Sequence, residues 1–215
     1  MAEGWIDLKE GQQYKLEHFS IPRHYSEDIS SILVPHGLIK DRVEKLAQLI
    51  AADCTKPLVA CCVLKGAHVF FANLTDYLKK LQNKDGKSIP MSFEFIKVKS
   101  YENDQSTGNV QISLSEEDLQ GFRGKDLLIV EDIVDTGATM VGLIDALKKY
   151  QPASIKVVSL LLKKTTRSNK YIPDYVGFAI PDLFVVGYCL DYNEVFRDLD
   201  HIAVISDIGK TKYSV

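Results

Sequence analysis

Residues 127–140 read LLIVEDIVDTGATM. Leu127–Val130 is a continuous apolar run, typical of a short strand buried on both faces of a parallel sheet. Two carboxylates follow, Glu131 and Asp132, and a third, Asp135, comes three residues later. Thr136, Gly137, Ala138 and Thr139 then lead into apolar residues at 140, 143, 144 and 147, which is helical spacing over Ala138–Tyr150. A strand that turns through small residues into a helix converges backbone N–H groups on one point. The positive end of the helix dipole and two threonine hydroxyls add to it. Such a turn can hold a phosphate. It is neither GxxxxGK[ST] nor GxGxxG. The acids would repel a phosphate, so they make sense only if they face something else, such as a ribose diol or a metal-bound water. Taken alone, a bare DTG turn reads as a Thr-Gly helix cap edged by acidic surface residues. An apolar strand, paired acids and DTGxT together are far more specific.

The flanking sequence repeats the alternation of strand and helix. Leu58–Leu64 (LVACCVL) and Ile155–Leu162 (IKVVSLLL) are further buried strands, and Met91–Phe95 alternates in period two, with a continuation towards Lys99. Tyr175–Ile180, Phe184–Tyr188 and Ile202–Ile205 complete the strand candidates. Helical spacing recurs over Leu38–Asp53 and Ala67–Leu81. This order predicts an α/β fold with a mostly parallel central sheet flanked by helices. Ligands bind beyond the carboxyl ends of the strands in such sheets, so the residues after Leu64, Val130 and Leu162 are the first places to seek chemistry. Residues 1–30 are polar and irregular and are expected to form a surface-lying N-terminal extension. Ser100–Asn109 (SYENDQSTGN) has no core-forming pattern and is either a surface loop or a mobile lid.

Of the 215 residues, 46% are hydrophobic and 26% charged, which excludes intrinsic disorder. The length predicts a single domain over 1–215. Lys plus Arg is 26 against 29 for Asp plus Glu, a formal charge of −3, which argues against a nucleic-acid partner. No apolar run approaches the ~20 residues of a membrane span, and Met1–Glu10 lacks a leader pattern. Cys54, Cys61, Cys62 and Cys189 show neither CxxC nor Cys/His metal spacing. They read as buried, reduced thiols of a cytoplasmic protein. Cys61 and Cys62, adjacent in a strand, are expected to face opposite sides.

LLIVEDIVDTGATM resembles the signature of the type I phosphoribosyltransferases, which bind 5-phosphoribosyl-1-pyrophosphate. VPHGLIKDRVEKLA, CCVLKGAHVFFANL, FEFIKVKSYENDQSTGN, KVVSLLLKKTTRS and PDYVGFAIPDLFVVGYCLDYNEVFRDLDHIAVI are similar to the animal hypoxanthine-guanine members of that family. The resemblance covers roughly residues 20–215. It implies the family fold, with a small hood and a flexible lid, and transfer of phosphoribosyl to hypoxanthine or guanine. Its implied alternatives are a changed base preference, such as xanthine, or a catalytically weak nucleotide binder. A degenerate binder would be expected to lack at least one of Asp135, Lys163, Asp191 and Arg197, and all four are present.

Residue by residue, the resemblance makes Asp135–Thr139 the loop that grips the 5′-phosphate. Glu131 and Asp132 become the ribose acids, with Ile133 and Val134 beside them, and Asp135 the general base near purine N7. Lys65 and Gly66 fall in the pyrophosphate loop, with a cis peptide at Leu64–Lys65. Lys163 donates to O6 of the base. Leu183, Phe184 and Val185 stack on the base and read its edge. Asp191 ligates Mg²⁺, Arg197 meets pyrophosphate, and Ser100 and Tyr101 belong to the lid. Lys65 and Arg197 join Asp135 as the catalytic set. The resemblance also implies a homodimer or homotetramer. Two positions depart from the pattern: Ala138 stands where many relatives have Lys, and Ala67 replaces the second Gly of KGG, where any need for positive φ would strain a Cβ.

Overall fold

The computed structural model describes residues 4–100 and 110–215, with the backbone alone for residues 99, 100 and 110. Among the described residues seven strands form the main sheet: β1 (Ile6–Asp7), β3 (Leu58–Leu64), β4 (Met91–Ser100), β5 (Val110–Ile112), β6 (Asp126–Val134), β7 (Ser154–Lys164) and β8 (Tyr175–Pro181). Their spatial order is β1-β8-β7-β6-β3-β4-β5. All neighbours are parallel except the β4–β5 pair. Three strands, β2 (Ile29–Val34), β10 (Ile202–Ile205) and β9 (Val185–Val186), make a small antiparallel sheet in that order, which is the hood.

Helices cover both faces because the strands are apolar on both faces. Helices α1 (His36–Asp53) and α2 (His68–Leu78) lie on one side, where Ile39, Leu46, Phe70 and Leu74 pack with Ala60, Cys62, Val130 and Phe178. On the other side α4 (Ala138–Lys148) and the short α3 (Glu116–Gln120) place Leu143, Leu147 and Leu119 against Cys61, Ile129 and Val157. Cys61 and Cys62 therefore serve opposite faces, as strand alternation requires. A third cluster, with Tyr25, Ile32, Val186 and Phe196, closes the hood, and α5 (Asp207–Lys212) follows its last strand.

Two expectations change. Residues 4–30 do not simply lie on the surface. Ile6–Asp7 adds a parallel strand to β8, and Leu8, Tyr25 and Ile29 are buried. Arg42 of α1, itself buried, donates to the carbonyls of Gly177, Val176 and Gly4 and so ties this segment to the sheet. A single edge pairing over two residues leaves no periodic trace in sequence. The predicted Phe184–Tyr188 strand shortens to Val185–Val186, since β10 offers only two pairing positions there.

Candidate active site

Chain direction reverses across the sheet between β3 and β6: from β3 the chain proceeds outward to β4, and from β6 it proceeds the other way to β7 and β8. Crevices at such switch points bind ligands. β3 stops pairing with β6 at Cys62↔Val130, while β6 continues along β7 to Val134↔Leu162. Glu131, Asp132, Ile133 and Val134 are thus the last residues of a strand that outruns its neighbour, not a loop after a strand ending at Val130. The loop after β3 closes over them. Its Leu64–Lys65 peptide is cis, and Gly66 lies so near Asp132 that a Cβ would stand 1.6 Å from Oδ2. Ala67 has φ −73°, so no left-handed backbone is asked of it.

Glu131 is buried. Its Oε1 accepts from the Asp132 N–H at 3.2 Å, and Asp132 Oδ1 accepts from the Ile133 N–H at 2.7 Å. Burial pushes the Glu131 carboxyl well above the ordinary glutamate range, and the neighbouring Asp132 charge adds to this. Burial also raises Asp132, against the pull of its hydrogen bonds and of Arg197.

The turn from β6 into α4 depends on Gly137, which sits at φ 84° as the N-cap. L-residues rarely adopt that backbone, and a Cβ there would also meet Asn169 Oδ1 at 2.3 Å. The Asn169 N–H donates to the Thr136 carbonyl at 2.9 Å and fixes the loop after β7 against this turn. Ala138 and Thr139 are exposed in the first turn of α4, where helix N–H groups have no intrahelical acceptor. Val134 is buried, and Ile133 packs on the core beneath.

Two charged clusters flank the acids. Near the carboxyl end of β7, Lys163 Nζ donates to Asp135 Oδ2 at 3.2 Å and lies 3.9 Å from Asp182 Oδ1. Asp135 Oδ1 is enclosed and accepts no hydrogen bond, with Arg167 Nη2 standing 3.5 Å away. Around the loop after β9, Arg197 Nη2 meets Asp191 Oδ1 at 2.9 Å, and Arg197 Nη1 donates to the Cys189 carbonyl at 2.8 Å. Lys65 Nζ reaches Glu194 Oε2 at 3.0 Å. Phe184, half exposed, makes an edge contact with Tyr192 at 5.4 Å. Its carbonyl accepts from Ile205 of the hood at 3.2 Å. Leu183 and Val185 on either side pack into the core.

The fold thus brings Lys65 and Gly66 to the β6 acids, Lys163 to Asp135, and Asp191 to Arg197. Ser100 ends β4, whereas Tyr101 and the rest of the expected lid lie outside the described residues. Glu194 and Arg167 were not singled out from sequence. Acids at 191 and 194 and the cation at 197 recur every third residue, but left-handed backbone at Asn193, Glu194 and Phe196 is what brings them together.

A model of the phosphoribosyl transferase domain matches residues 30–193. The chain belongs to the phosphoribosyltransferase family. This phosphoribosyltransferase is 54% identical over 201 residues to hypoxanthine-guanine phosphoribosyltransferase of Mus musculus, covering 93% of this chain and 92% of the mouse protein. The protein of that name from Homo sapiens is 53% identical over the same length. Among solved structures, hypoxanthine-guanine phosphoribosyltransferase from Schistosoma mansoni in complex with IMP superposes with a TM-score of 0.81 at 37% identity, covering 98% of this chain and all of that one. The main sheet and hood of this phosphoribosyltransferase are those of the type I fold.

Proposed function

We propose that this phosphoribosyltransferase salvages 6-oxopurines, converting hypoxanthine to IMP and guanine to GMP with release of pyrophosphate. The approach of Gly66 to Asp132 is the observation that carries this reading. It sets the loop after β3 beside the β6 acids, with the Thr136–Thr139 turn at the strand end.

In this reading Thr136–Thr139 bind the 5′-phosphate through backbone N–H groups and hydroxyls, and Glu131 and Asp132 accept from the ribose hydroxyls. A purine ring nitrogen bonds to the anomeric carbon as the carbon–oxygen bond to pyrophosphate breaks and the leaving group takes the electron pair. Lys65 and Arg197 offset its growing negative charge. The proton lost by the base passes to Asp135, whose Oδ1 has no hydrogen-bond donor. Lys163 turns from Asp135 to O6 of the base, Phe184 stacks on its ring and the Val185 backbone reads its edge.

Among the described residues no three-donor cluster of His, Cys, Asp or Glu could cage a metal. Mg²⁺ needs no such cage, since one or two carboxylates with substrate phosphates and water suffice. Asp191 offers one carboxylate beside Arg197, so the residues fit. Bound there, Mg²⁺ would neutralise charge on the leaving group.

Free cysteines at 54, 61, 62 and 189 support a cytoplasmic setting. No described helix is long and apolar enough to cross a membrane. Exposed Phe93 and Phe95, ranged against Phe71, support assembly into a homodimer or homotetramer. Product analysis with 5-phosphoribosyl-1-pyrophosphate, Mg²⁺ and each of hypoxanthine, guanine, xanthine and adenine tests the reading. IMP and GMP should form; no transfer to either 6-oxopurine would overturn it.

A further inference from the structure

Both cations assigned to the leaving group are already engaged by one carboxylate. Glu194 Oε2 lies 3.0 Å from Lys65 Nζ and 3.4 Å from Arg197 Nε, and Oε1 lies 3.3 Å from Arg197 Nη2. Lys65 follows β3, whereas Arg197 lies in the segment between β9 and β10, so Glu194 spans two separate parts of the chain. The span is that of a small oxyanion held by two cations. Asn193, Glu194 and Phe196 have φ of 51°, 68° and 75°. Non-glycine residues hold such backbone only where surroundings enforce it, and they cluster at functional sites. The Glu194 N–H donates to Asp191 Oδ2 at 2.8 Å, which fixes the acid in place. A glutamate carboxyl is ionised at neutral pH, so Glu194 meets the two cations as a charged group.

We propose that Glu194 is an internal counter-ion in the pyrophosphate subsite, bridging Lys65 and Arg197 until a diphosphate displaces it. The proposal rests on the assignment of those two cations to pyrophosphate. Any diphosphate must then break the Glu194 contacts before it gains its own, and the affinity it shows is lowered by the fraction of sites still closed. After transfer, the same carboxylate returns to its cations and speeds loss of pyrophosphate. A nucleoside monophosphate, having no diphosphate, is indifferent to Glu194.

Calorimetric titration of wild type, Glu194→Gln and Lys65→Ala with inorganic pyrophosphate, and separately with IMP, decides the matter. Glu194→Gln should bind pyrophosphate about three- to fivefold more tightly, the scale of an exposed ion pair, with IMP affinity unchanged. A mere strut between two loops would give the opposite: removing it would loosen the subsite and weaken pyrophosphate. Unchanged or weaker pyrophosphate binding, or an equal gain for IMP, overturns the proposal. Lys65→Ala should weaken pyrophosphate. Should it not, the subsite assignment fails and the counter-ion with it, whereas a weakened Lys65→Ala beside an unimproved Glu194→Gln removes the counter-ion alone.

Discussion

Replacing Gly66 by alanine puts a methyl group where Asp132 already is. The new Cβ would lie 1.6 Å from Oδ2 and 2.7 Å from Cγ, when real Cβ atoms essentially never approach closer than 3.0 Å. The carboxylate or the loop must therefore move by about 1.4 Å (3.0 − 1.6). Asp132 cannot give way freely, because its Oδ1 is held by the Ile133 N–H at 2.7 Å. Overpacking costs about 1–3 kcal/mol, and loss of a hydrogen bond to a charged acceptor costs about 1.5–3 kcal/mol. The two are alternatives in part, so the sum is about 2–4 kcal/mol. A domain with about 5–15 kcal/mol of stability stays folded, with Tm lower by roughly 5–15 °C at this length. Moving Asp132 should also weaken binding of 5-phosphoribosyl-1-pyrophosphate. Thermal melts and titration read both effects. Gly37→Ala is the control: it lies in the first turn of α1 with nothing within 4 Å of its Cβ position, and should leave stability the same or raise it by up to ~1 kcal/mol. A Gly66→Ala protein with wild-type Tm and wild-type affinity would refute the close approach on which the site is built.

Asp135→Asn keeps shape but not basicity, so steady-state kinetics should show kcat down ~10-fold or more with KM for 5-phosphoribosyl-1-pyrophosphate little changed; wild-type turnover would dismiss Asp135 as the base. Lys163 can only donate, so adenine, with an amino group at position 6, should be rejected by roughly 10⁴-fold, and Lys163→Ala should lose most activity with hypoxanthine. Either adenine turnover or a fully active Lys163→Ala would end that reading of base choice. Because burial raises the Glu131 carboxyl, the folded state holds that proton more tightly than the unfolded chain. Its contribution therefore declines as pH rises above about 4.5. Melts across about pH 5–8 should show Glu131→Gln with a higher Tm than wild type near neutrality, alongside weaker binding of 5-phosphoribosyl-1-pyrophosphate; a lower Tm would mean the buried charge is not a liability.

The layered fold was legible where periodicity is strong. Leu58–Leu64 and Ile202–Ile205 match their strands residue for residue, and Leu38–Asp53 lacks only the first two residues of α1. Apart from Arg42 of α1 these segments bury apolar faces, and burial of such area is large enough to set local structure on its own. The DTGAT turn was legible too, because small residues and a glycine at a helix start let backbone N–H groups converge on an anion, whereas the left-handed backbone of Gly137 came from the structure. Three features needed the tertiary structure. The strand holding Glu131 and Asp132 runs on to Val134 because β7 offers it pairing partners after β3 has stopped. The amino-terminal segment joins the sheet because the edge of β8 and the buried Arg42 accept it. Charge pairing is the clearest case: Lys65 with Glu194, and Asp135 with both Lys163 and Arg167, join residues far apart in the chain. Local sequence sets dihedrals and burial over a few residues. Which of many acids meets which of many cations is set by strand order and by where each loop leaves the sheet.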